Sequence, residues 1–296
     1  MKIDGVFAGG GVRAFAFIGA TQVLEEKGFS FERLAGTSAG ALFSALLRAG
    51  YTSHELVELL NELNVAKFMD GRRTLLPSKW MKWAQLYFNL GMYKGDELEK
   101  WIAEKLEKKG VKTFADIPRG TLKIIASDLS KGQIVVLPDD LPSYGIIPEK
   151  FSVARAVRMS SSIPYFFEPV KVYNPSGKKS YIVDGGVLSN FPLWVFMKDV
   201  NQKIVRPVLG FRLTPDLDEI PPHEIKNGID LFQSLFETMR KAHDVRYIIK
   251  EHAKNIVFIP VTDVKATDFD LTEEKKEALI LLGRERTHKF LKKWVY

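Results

Sequence analysis

Apolar and polar positions alternate from Lys2 to Ala8 and then give way to glycines, the pattern of a strand closed by a tight turn. From Val12 to Lys27 the apolar residues recur at helical spacing until Gly28 stops them. A short second strand, Phe31 to Ala35, runs through Gly36 and Thr37 into an apolar helix from about Ala39 to Ala49, closed by Gly50. Each of these turns delivers a helix N-terminus at the carboxyl end of a strand. From Ser53 to about Lys109 the spacing is helical, with Thr52 or Ser53 as a cap and no convincing strand, so a helical excursion from the sheet is expected over about 53–112.

Strand patterns return at Leu122 to Ser127, Ile134 to Leu137, Val170 to Tyr173, Tyr181 to Val183, Pro207 to Phe211 and Ile256 to Pro260. Helical patterns fall near Ser152 to Ser161, Phe191 to Val200, Asp230 to His252 and Thr272 to Trp294. With no internal repeat, low-complexity tract or linker between them, one α/β domain over residues 1–296 is expected.

Composition narrows the chemistry. The 296 residues contain no cysteine, which removes disulfides, thiolate metal sites and a cysteine nucleophile. The first residues meet glycines and an arginine before any signal-peptide core, and no segment reaches eighteen uncharged apolar residues, so a cytoplasmic location is expected. The net charge of +7 permits an anionic surface as partner, but the basic residues are interleaved with acids and no nucleic-acid motif accompanies them.

Candidate chemistry begins at Gly36-Thr37-Ser38-Ala39-Gly40. A Gly-x-Ser-x-Gly pattern arises by chance in roughly one chain in ten of this length, so alone it decides nothing. One reading makes Thr37 or Ser38 a helix cap. The other makes Ser38 a nucleophile on a strained strand-to-helix turn, where Gly36 and Gly40 let the backbone pack closely and the helix N-terminus stabilises developing negative charge. A hydroxyl nucleophile needs a base, and His54, His223, His243, His252 and His288 sit in charged helical or proline-rich contexts rather than in glycine turns. Asp184 differs: it follows a short apolar strand and precedes Gly185 and Gly186. It reads either as an Asp-Gly turn or as a site residue at the end of a core strand. Gly9-Gly10-Gly11-Val12-Arg13 bares backbone N–H groups at a helix start and can bind a phosphate or an oxyanion. A dinucleotide site is excluded by the lack of an acid at the end of the second strand, and a Walker A loop by the lack of Gly-Lys-Ser/Thr.

With GGGVR at 9–13, GTSAG at 36–40 and DGG at 184–186, the chain resembles the patatin-like phospholipase family. The segment SSSIPYFFEPV at 160–170 and the Asn190-Phe191-Pro192 ending are similar to further family segments, with Phe191 standing where many relatives carry a second Asn. The resemblance spans roughly Lys2 to Pro192. It implies a three-layer α/β/α sandwich with a central, mostly parallel sheet and a helical insertion. It further implies Ser38 as nucleophile, Asp184 as proton acceptor without histidine, and an oxyanion hole of the Gly10, Gly11 and Val12 N–H groups. Gly9, Arg13, Gly36, Gly40, Gly185 and Gly186 would support these turns. The implied reaction releases free fatty acid from lipid acyl esters through an acyl-enzyme, with no cofactor and no metal. Arg13 reads equally as a charge near the oxyanion or as an anchor. A carboxylate acting as base at neutral pH would have to be raised by burial.

Two other readings stay open: a Ser-His-Asp esterase of the α/β-hydrolase type, and an anion- or lipid-binding pseudoenzyme. In residues 78–93, Trp80, Trp83 or Ala84, and Tyr87 share a helical face, which reads first as core, while Lys79 and Lys82 nearby also suit a membrane contact or a hydrophobic lid. Lys289, Lys292, Lys293, Trp294 and Tyr296 form a second such stretch. An anionic membrane surface is therefore a peripheral partner to test.

Overall fold

A computed structural model describes residues 1–62, 65–71, 87–197, 206–213 and 254–295 apart from 265, 267, 269 and 270, together with 225, 234, 235 and 238. β1 (Lys2–Phe7) leads through a 3-10 turn (Gly11–Ala14) into α1 (Phe15–Glu26), and β2 (Ser30–Thr37) leads through Ser38 into α2 (Ala39–Arg48). α3 (Ser53–Asn61), β3 (Gly91–Tyr93) and α4 (Asp96–Glu107) follow, then β4 (Leu122–Asp128), β5 (Gln133–Leu137), α5 (Val153–Ser160), β6 (Tyr165–Phe167), β7 (Val170–Tyr173) and β8 (Lys179–Asp184). The chain continues with α6 (Trp194–Met197), β9 (Val208–Arg212), β10 (Ile256–Phe258) and α7 (Glu273–Leu291).

Eight strands form one sheet in the order β10-β9-β1-β2-β4-β8-β7, with β5 also on β4. The run from β10 to β4 is parallel; β5, β8 and β7 join antiparallel. Parallel strands buried on both faces need apolar side chains on both, and β1 shows this directly. Ile3 and Phe7 point into one core cluster and Val6 into another, which contains Phe191, Leu193 and Phe196. The larger cluster is aromatic beneath the first two turns: the Phe7 ring stacks on Phe211 at 4.7 Å and meets Phe17 at 5.1 Å and Phe43 at 4.9 Å edge-on.

The sheet is mostly parallel and flanked by helices, as expected, and each strand the pattern placed is present, while β6 is an additional short strand. One expectation is corrected inside the excursion. Its helices α3 and α4 are present, and Thr52 caps α3 in a reciprocal capping box with Glu55. However, the short strand β3 lies between them and pairs in parallel with β6. Three residues are too few for an alternation signal to register. The helix expected at Phe191 to Val200 begins later, at Trp194. The helix expected at Asp230 to His252 lies largely outside the described residues, as do Trp80, Trp83, Lys79, Lys82 and Tyr296.

α7 locks onto α1 at two glycines. A Cβ on Gly19 would stand 1.8 Å from the Ile280 carbonyl oxygen, and one on Gly283 would stand 1.9 Å from that of Ala16. Backbone-to-backbone contact of this kind holds the last helix directly behind the first glycine turn.

Candidate active site

β4 brings the candidate residues together. Its residues Leu122 to Ile125 pair with Leu34 to Thr37 of β2, and its next residues, Ala126 to Asp128, pair with Asp184 to Ile182 of β8. β5 occupies the other edge of β4, so β2 and β8 share one edge and meet there end to end. Thr37 is opposite Ile125 and Asp184 is opposite Ala126. The last residues of a parallel and an antiparallel strand are thus placed on consecutive positions of one neighbour, with Ser38 directly beyond the first. Asp184 is 3% exposed, and its Oδ1 accepts the Gly186 N–H at 2.7 Å; its own N–H donates to the Ser162 carbonyl at 2.9 Å. That last bond ties the Ser-rich segment 160–162 to the end of β8.

Ser38 has φ 55° and ψ −123°, an unusual conformation for a residue with a side chain, and occupies the N-cap position of α2 without making a side-chain cap bond. Thr37 does not cap the helix either: its hydroxyl donates to the Ser189 carbonyl at 3.0 Å. The Ser38 N–H donates to Ser160 Oγ at 2.8 Å, which pins the turn to α5. The flanking glycines answer to steric need. A Cβ on Gly40 would lie 2.3 Å from the Phe7 carbonyl oxygen, and one on Gly36 would lie 2.2 Å from that of Gly40.

The neighbouring turn presents backbone instead. The Gly9 N–H donates to the Asn190 carbonyl at 3.0 Å, and Asn190 Nδ2 returns a bond to the Gly9 carbonyl at 3.3 Å. Arg13 Nε donates to the Gly10 carbonyl at 3.2 Å. Because N–H and C=O point in opposite directions across a trans peptide, Asn190 orients the Gly10 N–H and Arg13 orients the Gly11 N–H, each away from its anchor. Arg13 therefore acts as an anchor of the turn. The Val12 N–H is engaged elsewhere, donating to the Ala266 carbonyl at 3.2 Å. Gly11, at φ 56°, is the residue this approach demands, since a Cβ there would lie 2.0 Å from the same carbonyl.

A pocket of about 1080 Å³, part of it open to solvent, begins at Gly11 and Ser38. Its wall is apolar: Phe15 from α1, Leu42, Phe43 and Leu46 from α2, Leu60, Phe68 and Leu98 from the excursion, and Ile163, Phe166 and Phe167 beside β6. The excursion is therefore a wall of the pocket that Ser38 borders.

A model of the patatin-like phospholipase family matches residues 5–197. This chain belongs to that family. It is 54% identical over all 296 residues to the uncharacterized protein YqhO of Bacillus subtilis, covering 100% of both chains. It is 25% identical over 207 residues to the probable lipid hydrolase 463L of Invertebrate iridescent virus 6, covering 67% of this chain and 64% of that one. Among solved structures, VipD from Legionella pneumophila matches with a TM-score of 0.59 and 18% identity, over 99% of this chain and 67% of its own, a likeness of fold.

Other sequence candidates are placed apart from the pocket. His54 is exposed on α3 beside Glu58, His288 is on the last turn of α7, and the remaining histidines lie outside the described residues. Trp294 packs against Phe29 and Phe290 and donates from Nε1 to Asn255 at 3.0 Å, so this ring is an internal tether rather than a surface group. No helix among the described residues is long and apolar enough to cross a membrane. Sequence reasoning missed Ser160 as the acceptor for the Ser38 N–H, although the serine run was visible. It also missed Ala266, whose contribution is a carbonyl and leaves no side-chain signal.

Proposed function

We propose that this lipid hydrolase cleaves carboxylic esters of lipids through Ser38 and Asp184. Ser38 Oγ attacks the acyl carbonyl carbon while its proton passes to the Asp184 carboxylate. The oxyanion accepts the Gly10 and Gly11 N–H groups, each donor contributing about 3 kcal/mol to lowering the barrier. Collapse expels the alcohol, which takes the proton back from Asp184, and leaves an acyl-serine. Water then attacks that ester, giving its proton to Asp184, and as free fatty acid departs Ser38 Oγ takes that proton back, restoring both residues. Val12, bonded to Ala266, serves the turn's shape and not the oxyanion.

The observation that carries this reading is the backbone of Ser38: a buried, uncapped serine at positive φ that lines an apolar pocket, one sheet position from a buried carboxylate. Strain of about 1–3 kcal/mol is kept where it has a use. A fluorophosphonate probe followed by peptide mass spectrometry should place the label on Ser38, and both Ser38→Ala and Asp184→Asn should lower ester turnover by about 10⁴-fold or more. Wild-type turnover in Asp184→Asn would overturn the dyad in favour of a histidine base.

The same reading makes a lipid surface the working partner. Tyr87 and Phe88 are each 78% exposed, and Leu90, Met92 and Tyr165 are exposed on and beside the β3–β6 pair, whose Phe166 and Phe167 line the pocket. Replacing Tyr87 and Phe88 with alanine should weaken co-sedimentation with anionic vesicles while sparing hydrolysis of a soluble ester. Undiminished vesicle binding would remove this face from the interface.

A further inference from the structure

Lys276 stands out among the described residues lining the pocket because it is the ionisable one in an otherwise apolar and weakly polar wall. It belongs to the first turns of α7, beyond the region matched by the family model. Its side chain is only 12% exposed, and its Nζ is 5.7 Å from the centre of the Phe15 ring, in the helix that starts at the glycine turn. The ammonium donates to Glu273 Oε1 at 2.6 Å.

Two features make a structural role an incomplete account. A cation near the positive end of a helix opposes the macrodipole, so the position is unfavourable for lysine on local grounds. The partner is also weak, since Glu273 is 62% exposed and an i,i+3 pair on a solvated helix face adds little. An ammonium has three donors, and Glu273 engages one side of it. Charge held in an apolar pocket by a solvated carboxylate can change partner when a better-buried anion arrives.

We propose that Lys276 is a specificity residue that binds an anionic group, phosphate or carboxylate, carried by the same molecule whose ester reaches Ser38. This inference rests on the ester-hydrolase reading of the pocket. Glu273 then holds the lysine while the pocket is empty and releases it to the substrate. A phosphate would place the anion on the alcohol side of the ester, and a carboxylate would place it at the far end of the acyl chain.

The test compares full-length wild type with Lys276→Met, Lys276→Arg and Glu273→Gln on three substrates. These are p-nitrophenyl butyrate, the p-nitrophenyl hemiester of glutaric acid, and dihexanoyl phosphatidic acid. Lys276→Met should lower the kcat/KM ratio of one anionic substrate to the neutral one by about tenfold, chiefly through KM. The substrate affected identifies the side on which the anion sits. Lys276→Arg should keep most of the ratio, and Glu273→Gln should raise it. Ratios unmoved by Lys276→Met on both anionic substrates would overturn the inference. Calorimetric binding of dodecyl phosphate and dodecanoate gives a readout independent of turnover. Binding of either that weakens about tenfold in Lys276→Met, in a protein that hydrolyses none of the esters, would uphold the anion site and sink the ester reading. Hydrolysis that requires Ser38, with neither ratios nor binding responding to Lys276, would do the reverse.

Discussion

The two strand-to-helix turns at the end of β1 and of β2 are adjacent in one parallel sheet, yet they are built on opposite rules. After β2, one side chain is kept and the backbone beneath it is forced into a left-handed conformation at Ser38. After β1, side chains are absent for three residues and two peptide planes are fixed from behind, one by Asn190 and one by Arg13. The first turn offers a hydroxyl and the second offers N–H donors. Strain is tolerable in the first because Gly36 and Gly40 let carbonyls close around it, whereas the second depends on outside anchors. The first turn holds a side chain in a fixed place, while the second holds N–H donors in a fixed direction.

The largest effect is expected from a side chain placed where the second turn excludes one. Gly11→Ala meets both a positive φ and the Ala266 carbonyl, so turnover should fall about 10²–10³-fold. Thermal melts should show a loss of about 2 kcal/mol or more, and a near-normal melt with full activity would mean that the turn is not held as described. A milder change removes the anchors. Asn190→Ala and Arg13→Met should each lower kcat about 10-fold to 10²-fold with KM little changed, because each removes the side-chain bond on one peptide plane and loosens it. Since they hold different planes, the double variant should lose close to the product of the two factors, and a much smaller combined loss would show that they act on one group. The smallest effect sharpens the first turn. Ser38→Gly should be more stable than Ser38→Ala by about 1–2 kcal/mol in denaturant unfolding, because glycine relieves the left-handed backbone that alanine retains. Equal stability would argue that Ser38 is not strained.

The sequence made these turns legible because each rule leaves its own residues behind. Glycines at 11, 36 and 40 are required by close backbone approach, and the buried ends of β1 and β2 run into these turns. The Ser-versus-cap question was open in sequence because the answer is a dihedral angle: a serine before a helix looks alike whether its hydroxyl turns inward to cap or outward to react. That Ser38 and Asp184 come near one another has no local signal in the sequence beyond the family resemblance, because it depends on β2 and β8 sharing one edge of β4 while 145 residues lie between the two positions. The role of the C-terminal segment was not legible either. Gly19 and Gly283 carry no motif, and their meaning appears only where the two helices touch backbone to backbone.

The end-to-end meeting of β2 and β8 along β4 works as a caliper. Each strand residue advances about 3.3 Å, so lengthening or shortening either strand by one residue would open or close the gap between hydroxyl and carboxylate by a full hydrogen-bond length. For the proposed dyad, spacing is consequently a matter of counting strand residues rather than of local flexibility.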